Sequence, residues 1–467
     1  MEKTLSKKYG LPMAISMVIG IVIGSGVFFK AEAVLKATGG DVKTGIWAWL
    51  IVGLIMIICS YAFANLATKY EKVNGVVDYA EATLGKRYGY YIGWYLTVVY
   101  QPALTSVLAW VSARYTCVLL GIDDIVGGTC MTIAGLYLIA IYAMNALSPI
   151  LAGKFQVSTT VIKLIPLVLM AIVGTIKGLM TGVTVENFTR VTSEVAAGGG
   201  GLFASIVAVA FAYEGWIIAT SINAELKDAK KNLPKALVIG ALIVVAVYIF
   251  YYIGLAGAVS TEEIMADGHA GAANAFKNVF GTALGSLIFV FVIVSCLGTL
   301  NGLMVGTTRA AFALASRNEG PRPVTFKQVD QITDMPSNSS VLGLFMCALW
   351  LLYFYGCTLM GWIGDFGFDS SELPIVFLYT CYIPMFIAVM IKEKDFSPFK
   401  RFVVPLAAII SCGFMTYAGF IHPVISASGD REPWKGILLF FLVLLFVIAS
   451  GALIKFKGEK RLAAESK

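Results

Sequence analysis

The residues in this chain with chemistry to offer sit inside runs of apolar ones. Gly24-Ser25-Gly26-Val27-Phe28 interrupts one such run, and Phe211-Ala212-Tyr213-Glu214-Gly215-Trp216 interrupts another. A Gly-Ser-Gly triplet is poor helix, and non-helical backbone is tolerated at membrane depth only where it lines a cavity or is buried in protein. A helix that stops and restarts presents two complementary ends. The restarting half offers free N–H groups and about half a positive charge to an anion, while carbonyls of the stopping half suit an ammonium group. Two such interruptions would hold a zwitterion with one α-carboxylate and one α-amine. The carboxylate would then meet the N–H groups of Ser25 and Gly26, and the amine the carbonyls near Ile23, Phe211 and Ala212. Gly24, Tyr213, Glu214 and Gly215 complete the expected substrate-binding set. Taken alone, Gly20-x-x-x-Gly24 reads equally as a small-residue packing seam. The second interruption is what points to a site, because paired breaks mark inverted-repeat transporters.

Ionisable residues in these runs are few. Lys163 lies in Val161-Ile-Lys-Leu-Ile-Pro166, where a charge costs about 2.5–3.5 kcal/mol to insert and is normally paired or functional. It either hydrogen-bonds the broken backbone of the first run or does coupling work. Glu214 faces the substrate amine, pairs across the site, or caps the second half of its helix. Lys30 is expected to snorkel to the outer interface. Tyr100, in Tyr100-Gln101-Pro102, is a candidate to line the site or to sit in a packed proline kink. Trp216 reads as an aromatic lid or as packing, and Asn301 as site lining or an interhelical hydrogen-bonding residue.

The elements that must position these residues are set by composition. Of 467 residues, 58% are hydrophobic and 13% charged, against roughly 45–50% and 25% in soluble domains. With a mean hydropathy of +0.82, a soluble enzyme, a disordered chain and a nucleic-acid-binding protein are excluded. A bilayer core of roughly 30 Å needs about 20 apolar residues per helix. Twelve such spans run approximately 11–36, 44–70, 90–117, 125–147, 156–180, 200–224, 234–259, 281–314, 338–358, 372–391, 400–424 and 434–455. No period-2 strand pattern of a β-barrel occurs.

The net charge of +7 reads as topology. With the start of the chain inside, 25 of the 35 Lys and Arg fall in inner segments and eight in outer ones. That bias predicts twelve spans with both termini cytoplasmic. Eight cysteines without C-x-x-C pairing predict buried free thiols rather than a disulfide framework or zinc site. No G-x-x-x-x-G-K-[ST] loop occurs, and the only histidines, His269 and His422, offer no H-E-x-x-H pair. No enzyme, cofactor or metal is expected.

Three blocks carry a family resemblance. Gly24-Ser25-Gly26-Val27-Phe28 resembles the G-S-G-[IV]-F of the amino acid–polyamine–organocation (APC) superfamily, as does Phe211-Ala212-Tyr213-Glu214-Gly215-Trp216 in the sixth span. Asn223-Ala-Glu225-Leu-Lys227 through Pro234-Lys-Ala236 is similar to a signature of its L-type amino acid transporter branch. Cys296-Leu-Gly-Thr-Leu-Asn301-Gly302 through Arg309, Arg317, Gly320 and Pro323 is similar to the eighth span and the loop after it. Bacterial serine/threonine and alanine/serine/cysteine exchangers are the members it most resembles.

The resemblance implies an all-α membrane protein with a LeuT-type 5+5 inverted repeat, broken helices 1 and 6, and two peripheral helices. The corresponding segments are 1–10 (cytoplasmic), 11–180 (first repeat), 200–391 (second repeat), 400–455 (peripheral spans) and 456–467 (cytoplasmic). It implies sodium-independent exchange of small neutral L-amino acids (Ala, Ser, Thr, Cys) by alternating access in the plasma membrane. Lys163 would stand where sodium-coupled relatives hold a sodium ion. The alternative is a proton-coupled symporter using Lys163. By resemblance, Tyr248 would act in the inner closed state. Two departures stand out. Ala64-Asn65-Leu66 lacks the acid of a familiar inner-gate ion pair. Residues 118–125 lack the cysteine that links animal members to a glycoprotein, so no covalent heavy subunit is expected.

Overall fold

A computed structural model describes residues 10–24, 26–70, 75–189, 200–219, 226–267, 271–333, 335–427 and 432–465. Ten helices in it are long and apolar enough to cross a bilayer. They are Val42–Lys69, Lys86–Leu120, Gly128–Leu147, Ile150–Thr181, Ala229–Ala258, Thr282–Ala315, Ser337–Leu359, Leu373–Lys392, Phe399–Ile425 and Pro433–Gly458. These are spans 2 to 5 and 7 to 12. Spans 1 and 6 are divided, as Leu11–Val22 then Gly26–Ala37, and Gly200–Ala212 then Trp216–Ala219. Among the described residues no half reaches the roughly 20 residues a crossing needs, so two halves cross together. No strand element occurs among the described residues.

Local chemistry explains the boundaries. Asp41 caps span 2 by accepting from the N–H groups of Lys43 and Thr44, the usual service of a short acidic side chain there. Gly121, at φ +68°, ends span 3 in the left-handed conformation. Span 5 begins at Pro149 rather than near 156, because Ser148 caps it and proline suits a first helical position. Span 3 carries a π-helical turn at Leu96–Tyr100 just before Pro102, whose missing N–H disturbs the hydrogen-bond ladder.

Span 2 packs along span 7, span 3 along span 8, the first half of span 1 on span 7, and its second half on the first half of span 6. With no hydrophobic drive between helices in lipid, such contacts rely on close approach. Spans 5 and 7 touch backbone to backbone. A Cβ on Gly254 would lie 2.1 Å from the Met170 carbonyl oxygen, and one on Gly174 would lie 2.4 Å from that of Gly254. Large apolar side chains such as Leu147, Ile150 and Phe446 point outward, where hydrocarbon replaces water. All eight cysteines are free, six of them buried. Both described chain ends lie on one face, called the terminal face below. The far face carries the short helices Thr261–Asp267 and Gly271–Phe280 after span 7.

Candidate functional site

The two helix breaks meet. In span 1 the helix stops at Val22, Ile23 is extended (φ −65°, ψ 113°), and helix resumes at Gly26. In span 6 Tyr213, Glu214 and Gly215 form the turn. Gly215 has φ +102°, a conformation that side chains with a Cβ rarely adopt. A Cβ on Gly26 would sit 2.5 Å from the Ala212 Cα, and one on Gly24 would sit 2.6 Å from the Thr299 Oγ1 of span 8. These glycines therefore serve both readings of their spacing, since they break the helix and let its neighbours approach. Ser25 lies outside the described residues.

Two buried side chains from other spans hold the breaks. The Tyr248 hydroxyl of span 7 lies 3.1 Å from the Val22 carbonyl oxygen and 3.1 Å from that of Ala212. One hydroxyl is thus shared between the carbonyl ends of both interrupted helices, where the helix dipoles are negative. Lys163 of span 5 donates from Nζ to the Gly20 carbonyl oxygen and is 1% exposed. The helix of span 5 is itself interrupted at Lys163, between Pro149–Ile162 and Leu164–Leu169. Pro166 follows and lacks the N–H that would bond Ile162.

The remaining candidates divide. Tyr100 donates to Glu214 Oε1, joining span 3 to the span 6 turn. The second oxygen of Glu214 is buried without a hydrogen-bond partner. Asn301 is fully saturated. It donates to the Ala152 carbonyl (3.1 Å) and to Gln156 Oε1 (2.9 Å), and accepts from Asn145 (2.8 Å), so it ties spans 4, 5 and 8 together. Trp216 turns away from the breaks. Its indole donates to Tyr379 Oη at 3.1 Å and packs on Phe63 and Tyr382. The Tyr213 hydroxyl likewise points to span 2, donating to the Trp49 carbonyl at 3.0 Å.

A cavity of about 780 Å³ adjoins both breaks. Gly24, Gly26, Phe211, Ala212, Glu214 and Gly215 line it, together with Lys163, Tyr100 and Asn301. Ile23, Tyr213, Trp216 and Tyr248 stand behind its wall. From the breaks it runs toward the terminal face, past Thr97 and Gly306 to Val76, Arg309 and Arg317.

At its other end the cavity is sealed by residues that correct one expectation. Lys30 does not snorkel; it is 2% exposed and pairs with Glu372, before span 10, at 2.7 Å. It also donates to Ser371 Oγ at 3.1 Å. The reason is geometric: span 1 restarts so close to span 6 that Lys30 faces inward and meets an acid within reach. Its ammonium stands 4.9 Å over Phe29 and 5.3 Å over Phe211. Arg114 of span 3, 1% exposed, stacks 5.0 Å from Phe29 and 5.0 Å from Trp110. Arg114 is one of the eight basic residues that the topology reading counts with the outer segments. Its spacing from Trp110, one helical turn away, is the signal that would have placed it inside.

Ion pairs also surround the terminal end. Lys69 pairs with Glu393 and with Asp395 (2.6 Å), and Tyr70 donates to Glu393 at 2.7 Å. Arg317 pairs with Asp78 and with Glu81 (2.8 Å). Asn65 contributes no charge and donates to the Tyr61 carbonyl at 3.0 Å. The acid that pairs with Lys69 at the end of span 2 is Glu393, after span 10.

Twelve helical spans, two of them broken against one another beside a cavity, define a membrane carrier. The chain belongs to the amino acid permease family, whose model matches residues 9–447. It is 32% identical over 406 residues to the serine/threonine exchanger SteT of Bacillus subtilis, covering 87% of this chain and 88% of that protein. It is 26% identical over 460 residues to the large neutral amino acids transporter small subunit 2 of Homo sapiens, covering 94% of this chain and 80% of that one. The Asc-type amino acid transporter 1 of Mus musculus is 24% identical over 453 residues, covering 94% and 81%. The protein is a permease, not an enzyme.

Proposed function

We propose that this permease exchanges small neutral L-amino acids across the plasma membrane by alternating access, without sodium. The observation that carries the reading is that the interruptions of spans 1 and 6 border one cavity, where helix ends offer N–H groups to a carboxylate and carbonyls to an amine. The carboxylate meets the N–H groups of Ser25 and Gly26. The amine meets the carbonyls of Ile23, Phe211 and Ala212. The Ala212 carbonyl also receives Tyr248, and a carbonyl oxygen has two lone pairs to share. Lys163 holds span 1 through Gly20 and takes the place of a sodium ion.

Spans 1–5 (11–180) and 6–10 (200–391) form the two repeats, with spans 11 and 12 (400–455) peripheral. Both termini are cytoplasmic, as the inner excess of Lys and Arg requires. The terminal face is then cytoplasmic, and the cavity opens inward. The chain works without a covalent heavy subunit, because Cys117 and Cys130, which flank the loop after span 3, are both buried.

Proteoliposomes containing no internal amino acid test the exchange. Exchange predicts little uptake of labelled serine or alanine under a pH gradient alone. Strong accumulation under that gradient sinks obligate exchange and assigns Lys163 to proton coupling instead.

A further inference from the structure

One wall of the cavity carries hydrogen-bond acceptors that the protein leaves unfilled. Glu214, in the span 6 turn, lines the cavity. Tyr100 occupies its Oε1, and its Oε2 is buried with no partner. Gln101, one residue along span 3 from Tyr100, also lines the cavity, and its Oε1 is likewise buried without a partner. Native proteins satisfy nearly all buried polar groups, and an exception calls for an explanation. Glu214 presents its unfilled oxygen at the span 6 turn, and the Gln101 amide lies against Gly306 of span 8 in the same cavity. Asn301 and Thr299 of the same cavity are engaged: Asn301 bonds Gln156, Ala152 and Asn145, and Thr299 bonds its own helix at 3.1 Å.

From this we infer that Glu214, with Gln101 in the same cavity, reads the substrate side chain and selects amino acids that carry a hydrogen-bond donor there, the small hydroxy amino acids serine and threonine over their isosteres alanine and 2-aminobutyrate. The inference rests on the proposed exchange of small neutral amino acids and narrows its substrate class. A hydroxyl supplies a donor for the unpaired oxygen of Glu214. An apolar side chain of equal size leaves a carboxylate oxygen buried and unpaired, and sites built to bond a substrate hydroxyl discriminate strongly against analogues without one. The α-amine is present in every substrate and confers no such preference. A group that held only the amine would treat serine and alanine alike.

The test is counterflow in proteoliposomes, with kcat/KM measured for serine against alanine and for threonine against 2-aminobutyrate, in wild type and in Glu214→Ala. Wild type is expected to favour each hydroxy amino acid by about tenfold or more, and the variant to lose most of that ratio. If wild type exchanges both members of each pair equally, the inference is overturned whatever the variant does. It is also overturned if Glu214→Ala lowers both members equally and leaves the ratio intact, since Glu214 then holds the amine. Where that variant does not fold, Gln101→Leu must lower the ratio, and an unchanged ratio overturns the inference. Saturable exchange of neither amino acid by wild type removes the underlying functional proposal and this inference with it.

Discussion

The two ends of the cavity are closed by the same kinds of residue in opposite ways. At the far end, Lys30 is 2% exposed and Arg114 1% exposed, and both stack on aromatic rings that meet edge to face, with Phe29 and Phe211 centroids 5.9 Å apart. Glu372, its side chain 23% exposed, neutralises Lys30. At the terminal end, Lys69 and Arg317, their side chains 29% and 18% exposed, pair with Glu393 and Asp78, 3% and 2% exposed, and Arg317 lines the cavity. The cations of the far end are desolvated, and a desolvated cation over an aromatic ring gains about 2 kcal/mol. Those of the terminal end keep contact with solvent, which screens their charge. The far end is therefore a packed seal, and the terminal end a set of partly solvated ties beside an opening. In an alternating-access carrier the two must trade roles, and the partly solvated ties stand where the opening now is.

The sharpest way to break this comparison lies between the ends, at Lys163. Lys163→Ala removes the side-chain donor to the Gly20 carbonyl and is expected to lower exchange by about a hundredfold or more. Detergent-stable, monodisperse protein by size-exclusion chromatography would show that the loss is functional, and wild-type turnover would falsify the assigned role. Next comes the seal. Lys30→Ala leaves the acid of Glu372 without its cation and removes the stacking on Phe211. A loss of thermal stability on the order of 1–3 kcal/mol is expected, together with faster reaction of a cysteine placed at Phe29 with a membrane-impermeant thiol reagent. An unchanged labelling rate would mean that Lys30 does not hold the far end shut.

Tyr248→Phe should have a smaller effect. It removes the hydroxyl shared by Val22 and Ala212 while keeping the ring, and about 1 kcal/mol of stability and several-fold in exchange rate are expected to go with it. A rate equal to wild type would show that the two breaks hold their shape unaided. The mildest change is Trp216→Phe. Its indole lies behind the cavity wall, so KM should stay within about twofold while stability falls by about 1 kcal/mol with the bond to Tyr379. A large rise in KM would restore Trp216 as a lid.

Much of this was legible in the sequence, for reasons that differ between regions. The spans are readable because hydrocarbon demands long apolar runs, and the breaks because glycine and acid are costly inside them. Span 5 starts at Pro149 and not near 156, because Ser148-Pro149 marks a start that hydropathy alone passes over. What lies across the bundle was less readable. Lys30 and Glu372 are 342 positions apart, and no local pattern links them. Arg114 is disguised by its closeness to a loop. Trp216 faces span 10 rather than the cavity because Gly215, at φ +102°, resets the direction of the chain after the break. Helical phase counted from Phe211 does not survive that residue.

The measurement that bears most directly on the central claim is trans-stimulation. Proteoliposomes loaded with labelled serine are diluted into buffer with or without unlabelled alanine or serine outside, and the rate of label release is followed. A carrier that returns only when loaded predicts saturable release that rises about tenfold or more when external amino acid is present. Release at the same rate with and without external amino acid would contradict exchange at the paired helix breaks.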